Sequence, residues 1–158
     1  MRAQFVETVS DIVKKDNRAV LLLGDIGIFG FRDLLLSHSD RAYNIGILEQ
    51  STVSMSAGLA LSGLIPIVHT IAPFLVERSL EQIKVDLCYQ ELGANLVSIG
   101  GSYDYAALGC THHCPADVPT LNEIPNIEII IPGHPEEFDK LFRRSEERRV
   151  GKECRSRW

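Results

Sequence analysis

The sequence predicts an α/β protein: a parallel β-sheet with helices on both faces. Three observations carry this. Short, wholly apolar runs such as Ala19–Leu23 (AVLLL) have the composition of strands buried on both faces. These runs alternate with segments patterned as helices, which calls for right-handed crossovers between parallel strands. The chain has 158 residues, 45% of them apolar and 23% charged, the size and composition of one soluble domain.

Each element has its own signal. Residues 3–15 place Phe5, Val9, Ile12 and Val13 at helical spacing, with lysines at the end, as an amphipathic helix does. Asp16-Asn17-Arg18 turns the chain into the first strand, which stops at Gly24-Asp25. A short helix is expected over 30–37 and a brief extended piece at Ala42-Tyr43-Asn44. Residues 49–62 (EQSTVSMSAGLALS) are rich in small side chains and read as a tightly packed helix. Strands are expected at 65–70, 95–100 and 127–131 (IEIII), and one long helix over 74–89 with Leu80, Ile83 and Leu87 on a stripe. Pro135 opens a last helix.

Composition narrows the function. No apolar run approaches the roughly 18 residues of a membrane span, and the first residues lack the core of a signal peptide. Four cysteines in a chain of this size read as reduced thiols, in keeping with the cytoplasm. A net charge of −5 argues against nucleic acid. That charge is uneven, with −8 on residues 1–143 and +3 on 144–158 (RSEERRVGKECRSRW). The last fifteen residues resemble the in-frame translation of a sequencing-library adaptor. They are set apart as a non-native, disordered tail, with residues 1–143 as a domain truncated at its carboxyl end.

In parallel α/β sheets, ligands sit at the carboxyl ends of the strands, and three segments there carry chemistry. In Asn44-Ile45-Gly46-Ile47-Leu48-Glu49-Gln50 a strand end leads through Gly46 to an acid in the first turn of a helix. Glu49 is either a capping acid or a carboxylate aimed into a site, sharing a proton with a ligand nitrogen. In His69-Thr70-Ile71-Ala72-Pro73-Phe74, Phe74 is either core or an aromatic platform. Arg78 lies one turn later, within reach of an anion beside it. In Cys110-Thr111-His112-His113-Cys114 three readings stand: zinc ligands, solvated loop histidines, or His112 and His113 as proton-transfer or oxyanion-binding groups. Gly24-Asp25-Ile26-Gly27 lacks the Gly-Asp-Gly of a metal–diphosphate site, and no Gly-x-Gly-x-x-Gly is present.

The order of these motifs resembles the pyrimidine-binding domain of transketolase-like thiamine diphosphate enzymes. The resemblance is carried by GDIG (24–27), NIGILEQ (44–50), SAGLALSGLIPIVHTIAPF (56–74), RSLEQIKVDLCY (78–89), GGSYDYAALGCTHHCPAD (100–117) and IPNIEIIIPGHPEE (124–137). The loop with Cys-Thr-His-His is most similar to transketolases split into two polypeptides, and Met1 just before the first helix fits such a split. The resemblance implies a role for each matching residue. Glu49 contacts the ring nitrogen of the cofactor's aminopyrimidine and prepares its nucleophilic carbon. Phe74 stacks on that ring. Asp25 lies near the cofactor at a subunit interface, and Arg78 contacts an anionic group. His112 and His113 act near the substrate. The second aromatic that full-length transketolases carry shortly after Phe74 is not matched, Glu77 standing near that place.

The resemblance also implies partners. Thiamine diphosphate is shared with a diphosphate-binding subunit, whose domain rather than this chain holds Mg2+. The enzyme is then a homo- or hetero-oligomer that transfers a two-carbon ketol unit between sugar phosphates, without nucleic acid or membrane. Alternatives are a fragment of 1-deoxyxylulose-5-phosphate synthase, a Cys/His metal-binding module, and a non-catalytic assembly module.

Overall fold

The four strands form one parallel sheet in the order β2-β1-β3-β4 in a computed structural model that describes residues 1–150. The central strands are β1 (Ala19–Leu23) and β3 (Ile65–Ile71), paired from Ala19↔Ile65 to Leu23↔His69. The short β2 (Ala42–Asn44) flanks β1, and β4 (Asn95–Ile99) flanks β3. All five side chains of β1 are buried, which accounts for its unbroken apolar composition.

Period-two alternation divides that strand between two cores. Ala19, Leu21 and Leu23 join Phe5, Val9 and Val13 of α1 (Arg2–Lys15), Leu34 of α2 (Arg32–Ser37), and Phe138 and Phe142 of α7 (Pro135–Val150). Val20 and Leu22 face the other way, onto Val53 and Ala57 of α3 (Glu49–Leu61) and Leu75 of α4 (Ala72–Val76). Each fully buried leucine contributes about 1.5–3 kcal/mol relative to an exposed one. Ala57 and the buried Ser56, whose hydroxyl donates to the Val53 carbonyl at 2.7 Å, give α3 a flat face toward the sheet. Across α1 and α7, Thr8 Oγ1 donates to Asp139 at 2.6 Å and Arg143 Nη1 to Asp11 at 2.9 Å.

Three expectations need correction. The single helix expected over 74–89 is broken into α4, the short α5 (Leu80–Gln82) and a π-helical stretch, Ile83–Cys88. The break has a cause: buried Ser79 turns its hydroxyl onto the Phe74 carbonyl (3.0 Å), and the Arg78 N–H reaches back five residues to Pro73 O (3.1 Å). Residues 127–131 are not a strand. Ile127 rests on the second core, but no strand pairs with this segment, and Ile130 and Ile131 stay exposed. An apolar run without a backbone partner has no ladder to join. Finally, the backbone is helical through Val150, into the segment from 144 for which disorder is expected; residues 151–158 lie outside those described.

After β4 the chain turns through two 3₁₀ turns (Ala106–Leu108 and Cys110–His112) into α6 (Asp117–Asn122). The loop is tied at its base by the antiparallel bridge Ser102↔Cys114. No described helix is long and apolar enough to cross a membrane.

Candidate functional site at the carboxyl edge of the sheet

The strand ends converge as the topology requires: Asp25 follows β1, Glu49 follows β2, Thr70 is the penultimate residue of β3 with Phe74 in the helix that follows, and the histidine loop follows β4. The nearest approach among them is around Glu49. Its side chain is 2% exposed, in the first turn of α3. Thr70 Oγ1 donates to Glu49 Oε1 at 3.2 Å, and Arg78 Nη1 donates to Oε2 at 2.7 Å. A buried carboxylate needs such partners, since an unpaired charge in the interior is strongly disfavoured.

Nothing in the sequence singles out Thr70, yet it anchors the arrangement. The hydroxyl is buried and sits against Gly24, where a Cβ would lie 2.8 Å from Thr70 Oγ1. Only glycine leaves room for it. In the strand pattern Thr70 looks like one more β-former; its role is visible only once β1 and β3 are paired.

The guanidinium of Arg78 is also stacked, its carbon 4.1 Å from the Phe74 ring centroid. The same ring meets His112 edge-on at 5.2 Å between centroids, and Tyr105 flanks His112 at 6.0 Å. Thr111 Oγ1 and His112 Nδ1 are 3.0 Å apart. The structure thus joins Glu49, Arg78, Phe74 and His112 through successive contacts.

His113 belongs to a different contact, against Tyr103 at 5.1 Å, with Nε2 buried and without a hydrogen-bond partner among the described residues. Asp25 also stands in a separate cluster. Its backbone is left-handed (φ 56°), and Asn44 holds it there: Asn44 Oδ1 accepts from the Asp25 N–H at 3.0 Å, and Asn44 Nδ2 donates to Asp25 Oδ1 at 3.1 Å. The same Asn44 oxygen accepts from Gly46 N–H at 3.3 Å, so one side chain fixes Asp25 and the approach to α3.

Among the described residues, Cys88 and Cys114 behave as packing residues. Cys114 is buried, with its thiol against Glu77 Oε1 at 3.6 Å. Burial first, then the charges of Glu77 and Asp117, push its pKa up to about 12, so it is a neutral thiol at ordinary pH. Cys110 is exposed, and among the described residues no three His, Cys, Asp or Glu side chains are grouped to hold a metal ion. Behind the site, the buried His69 donates Nδ1–H to the Val97 carbonyl at 2.9 Å and packs on the Phe5 ring at 4.5 Å. Burial holds its pKa below the usual histidine range, outweighing the Val97 hydrogen bond; the charge of Arg2 adds to the lowering.

An acid at a helix start, an aromatic one strand away and a paired-histidine loop, on this sheet order, match a known domain type. Residues 1–152 match the family described as transketolase, pyrimidine binding domain. The chain belongs to this family. A 33.6 kDa protein of the fasciation locus of Rhodococcoides fascians is 42% identical over 142 residues, 90% of this chain and 46% of that protein. One of the subunits of the apulose-4-phosphate transketolase of Actinobacillus succinogenes is 41% identical over 103 residues, 65% of this chain and 33% of that polypeptide. The 1-deoxy-D-xylulose-5-phosphate synthase of Shouchella clausii is 33% identical over 139 residues, 87% of this chain and 22% of the synthase. Among solved structures, a split gene transketolase in an inactive beta4 tetramer superposes with a TM-score of 0.80 at 22% identity, over 92% of this chain and 47% of that one. It shares the parallel-sheet fold. The chain therefore spans less than half the length of these relatives.

Proposed function

We propose that this chain is the pyrimidine-binding half of a thiamine diphosphate-dependent transketolase, one that moves a two-carbon ketol unit between sugar phosphates. The observation that carries this is the buried Glu49 carboxylate, with one oxygen fixed by Thr70 and the other turned to a planar N–H donor stacked on Phe74. Those are the contacts an aminopyrimidine asks for: a carboxylate to hydrogen-bond a ring nitrogen, and an aromatic face. When bound, the cofactor supplies the nucleophilic carbon for breaking and making carbon–carbon bonds. The protein's part is to hold the ring and handle protons. Glu49 shares a proton with the ring nitrogen, Phe74 supports the ring face, and Arg78 is the cation beside it. His112 and His113 hold or move protons on substrate oxygens, and Asp25 faces the neighbouring subunit.

This half-site is completed, in our reading, by a diphosphate-binding subunit that also holds Mg2+, in a cytoplasmic hetero-oligomer. The loops after β1, β2 and β4 support it: Phe29, Ile47, Leu48, Tyr103 and Leu108 are exposed there, an apolar rim suited to a partner. The Actinobacillus relative, part of a transketolase, favours ketol transfer; the Shouchella relative, a synthase, favours the alternative.

Glu49→Gln tests the reading. In the complex reconstituted with a diphosphate-binding chain, kcat for ketol transfer should fall by about 100-fold or more while the subunits still associate. Unchanged kcat would make Glu49 a helix-capping residue in an assembly module. Turnover of pyruvate with a triose phosphate, in place of ketol transfer, would favour the synthase.

A further inference from the structure

The two oxygens of Glu49 are held by very different partners. Oε1 is fixed by Thr70, whose hydroxyl is itself locked against Gly24. Oε2 is covered by Arg78, whose side chain is 35% exposed against 2% for Glu49. The guanidinium is a planar, N–H-bearing cation, hydrogen-bonded to a carboxylate and stacked on Phe74. It therefore makes the contacts that Glu49 and Phe74 would make to a planar nitrogen heterocycle.

We propose that Arg78 is a resident placeholder in the ring-binding slot, and that its guanidinium leaves Glu49 Oε2 when the heterocycle enters. This rests on the pyrimidine-binding reading above and deepens it. Two features make the exchange feasible. Arg78 sits at the break between α4 and α5, where the Ser79 hydroxyl and the five-residue hydrogen bond to Pro73 interrupt the regular helix. Beside it lies a groove lined by Gln50, Glu77, Glu81 and Lys84, where the Glu81 carboxylate is an alternative partner for the displaced cation, Glu77 being engaged by the Cys114 thiol. While Arg78 fills the slot, the apparent affinity for the ring is reduced by the fraction of molecules so occupied.

The test uses the full chain and 4-amino-2-methylpyrimidine as probe, with binding followed by NMR titration, including the arginine side-chain N–H signals. Arg78→Ala should bind the probe about fivefold more tightly than the wild type, Arg78→Lys should fall between them, and Glu49→Gln should abolish binding. In the wild type, the Arg78 N–H signal should move toward that of a free guanidinium as probe is added. If the Arg78 variants bind equally or more weakly while Glu49→Gln abolishes binding, the placeholder is overturned and the pyrimidine site stands. If neither the wild type nor any variant shows a chemical-shift change even at saturating, millimolar-range probe, where a weak half-site still registers by NMR, both are overturned. Arg78→Lys keeps the positive charge beside Glu49 and serves should Arg78→Ala fail to fold.

Discussion

Glu49 and His69 are both buried, but among different partners. Glu49 has a cation and a hydroxyl donor; among the described residues, His69 has a carbonyl for its Nδ1–H, an aromatic ring against it, and the positive charge of Arg2. His69 is therefore held neutral, with its pKa below the ordinary value near 6.5. The unfolded chain binds a proton at this residue before the folded one does, so its contribution to stability is whole above about pH 6.5 and declines as the pH falls through that value. The urea midpoint should drop between pH 7 and 5, with a slope of at most about 1.4 kcal/mol per pH unit from this residue. His69→Gln should flatten that step. The lowered carboxylates Asp11, Asp16 and Asp139 act in a separate window, losing their contribution as the pH falls toward 3.8 and below.

At the scale of elements, the loop after β4 depends on one close approach. Gly100 has φ 72°, and a Cβ there would stand 2.2 Å from Tyr105 Cε2. Gly100→Ala should cost about 1–3 kcal/mol in urea unfolding and move Tyr105 off His112, seen as a change in the His112 ring resonances. Some elements are legible in the sequence and others are hidden for definable reasons. Strands β1 and β3 are continuous apolar runs, and α3 begins at the acid that the motif marks. The break at Ser79 is hidden because it comes from a side chain turning onto a backbone carbonyl, which leaves the apolar stripe intact. The run at 127–131 misleads because it has the composition of a strand without a neighbour to pair with. In the site, Glu49, Phe74, Arg78 and His112 are legible as residue types at strand ends. Thr70 and Asn44 are not, since their roles come from register across the sheet.

For the whole molecule, the candidate site residues lie along a single edge of the sheet, with exposed apolar side chains in the loops around them. On the proposed reading, this edge holds the cofactor by its ring and leaves its anionic end to the partner subunit. The isolated chain should bind thiamine diphosphate negligibly in calorimetry, and adding a diphosphate-binding subunit should restore tight binding. Tight binding by the chain alone would place the whole cofactor site on this domain.

The contact between Gly24 and Thr70 has a consequence for divergence. A side chain at 24 displaces the hydroxyl at 70, and losing that hydroxyl unfastens Glu49 Oε1. Positions 24, 70 and 49 thus amount to one heritable choice spread over three codons. A lineage that abandons the glycine loses its reason to keep the threonine, and then its means of aiming the acid.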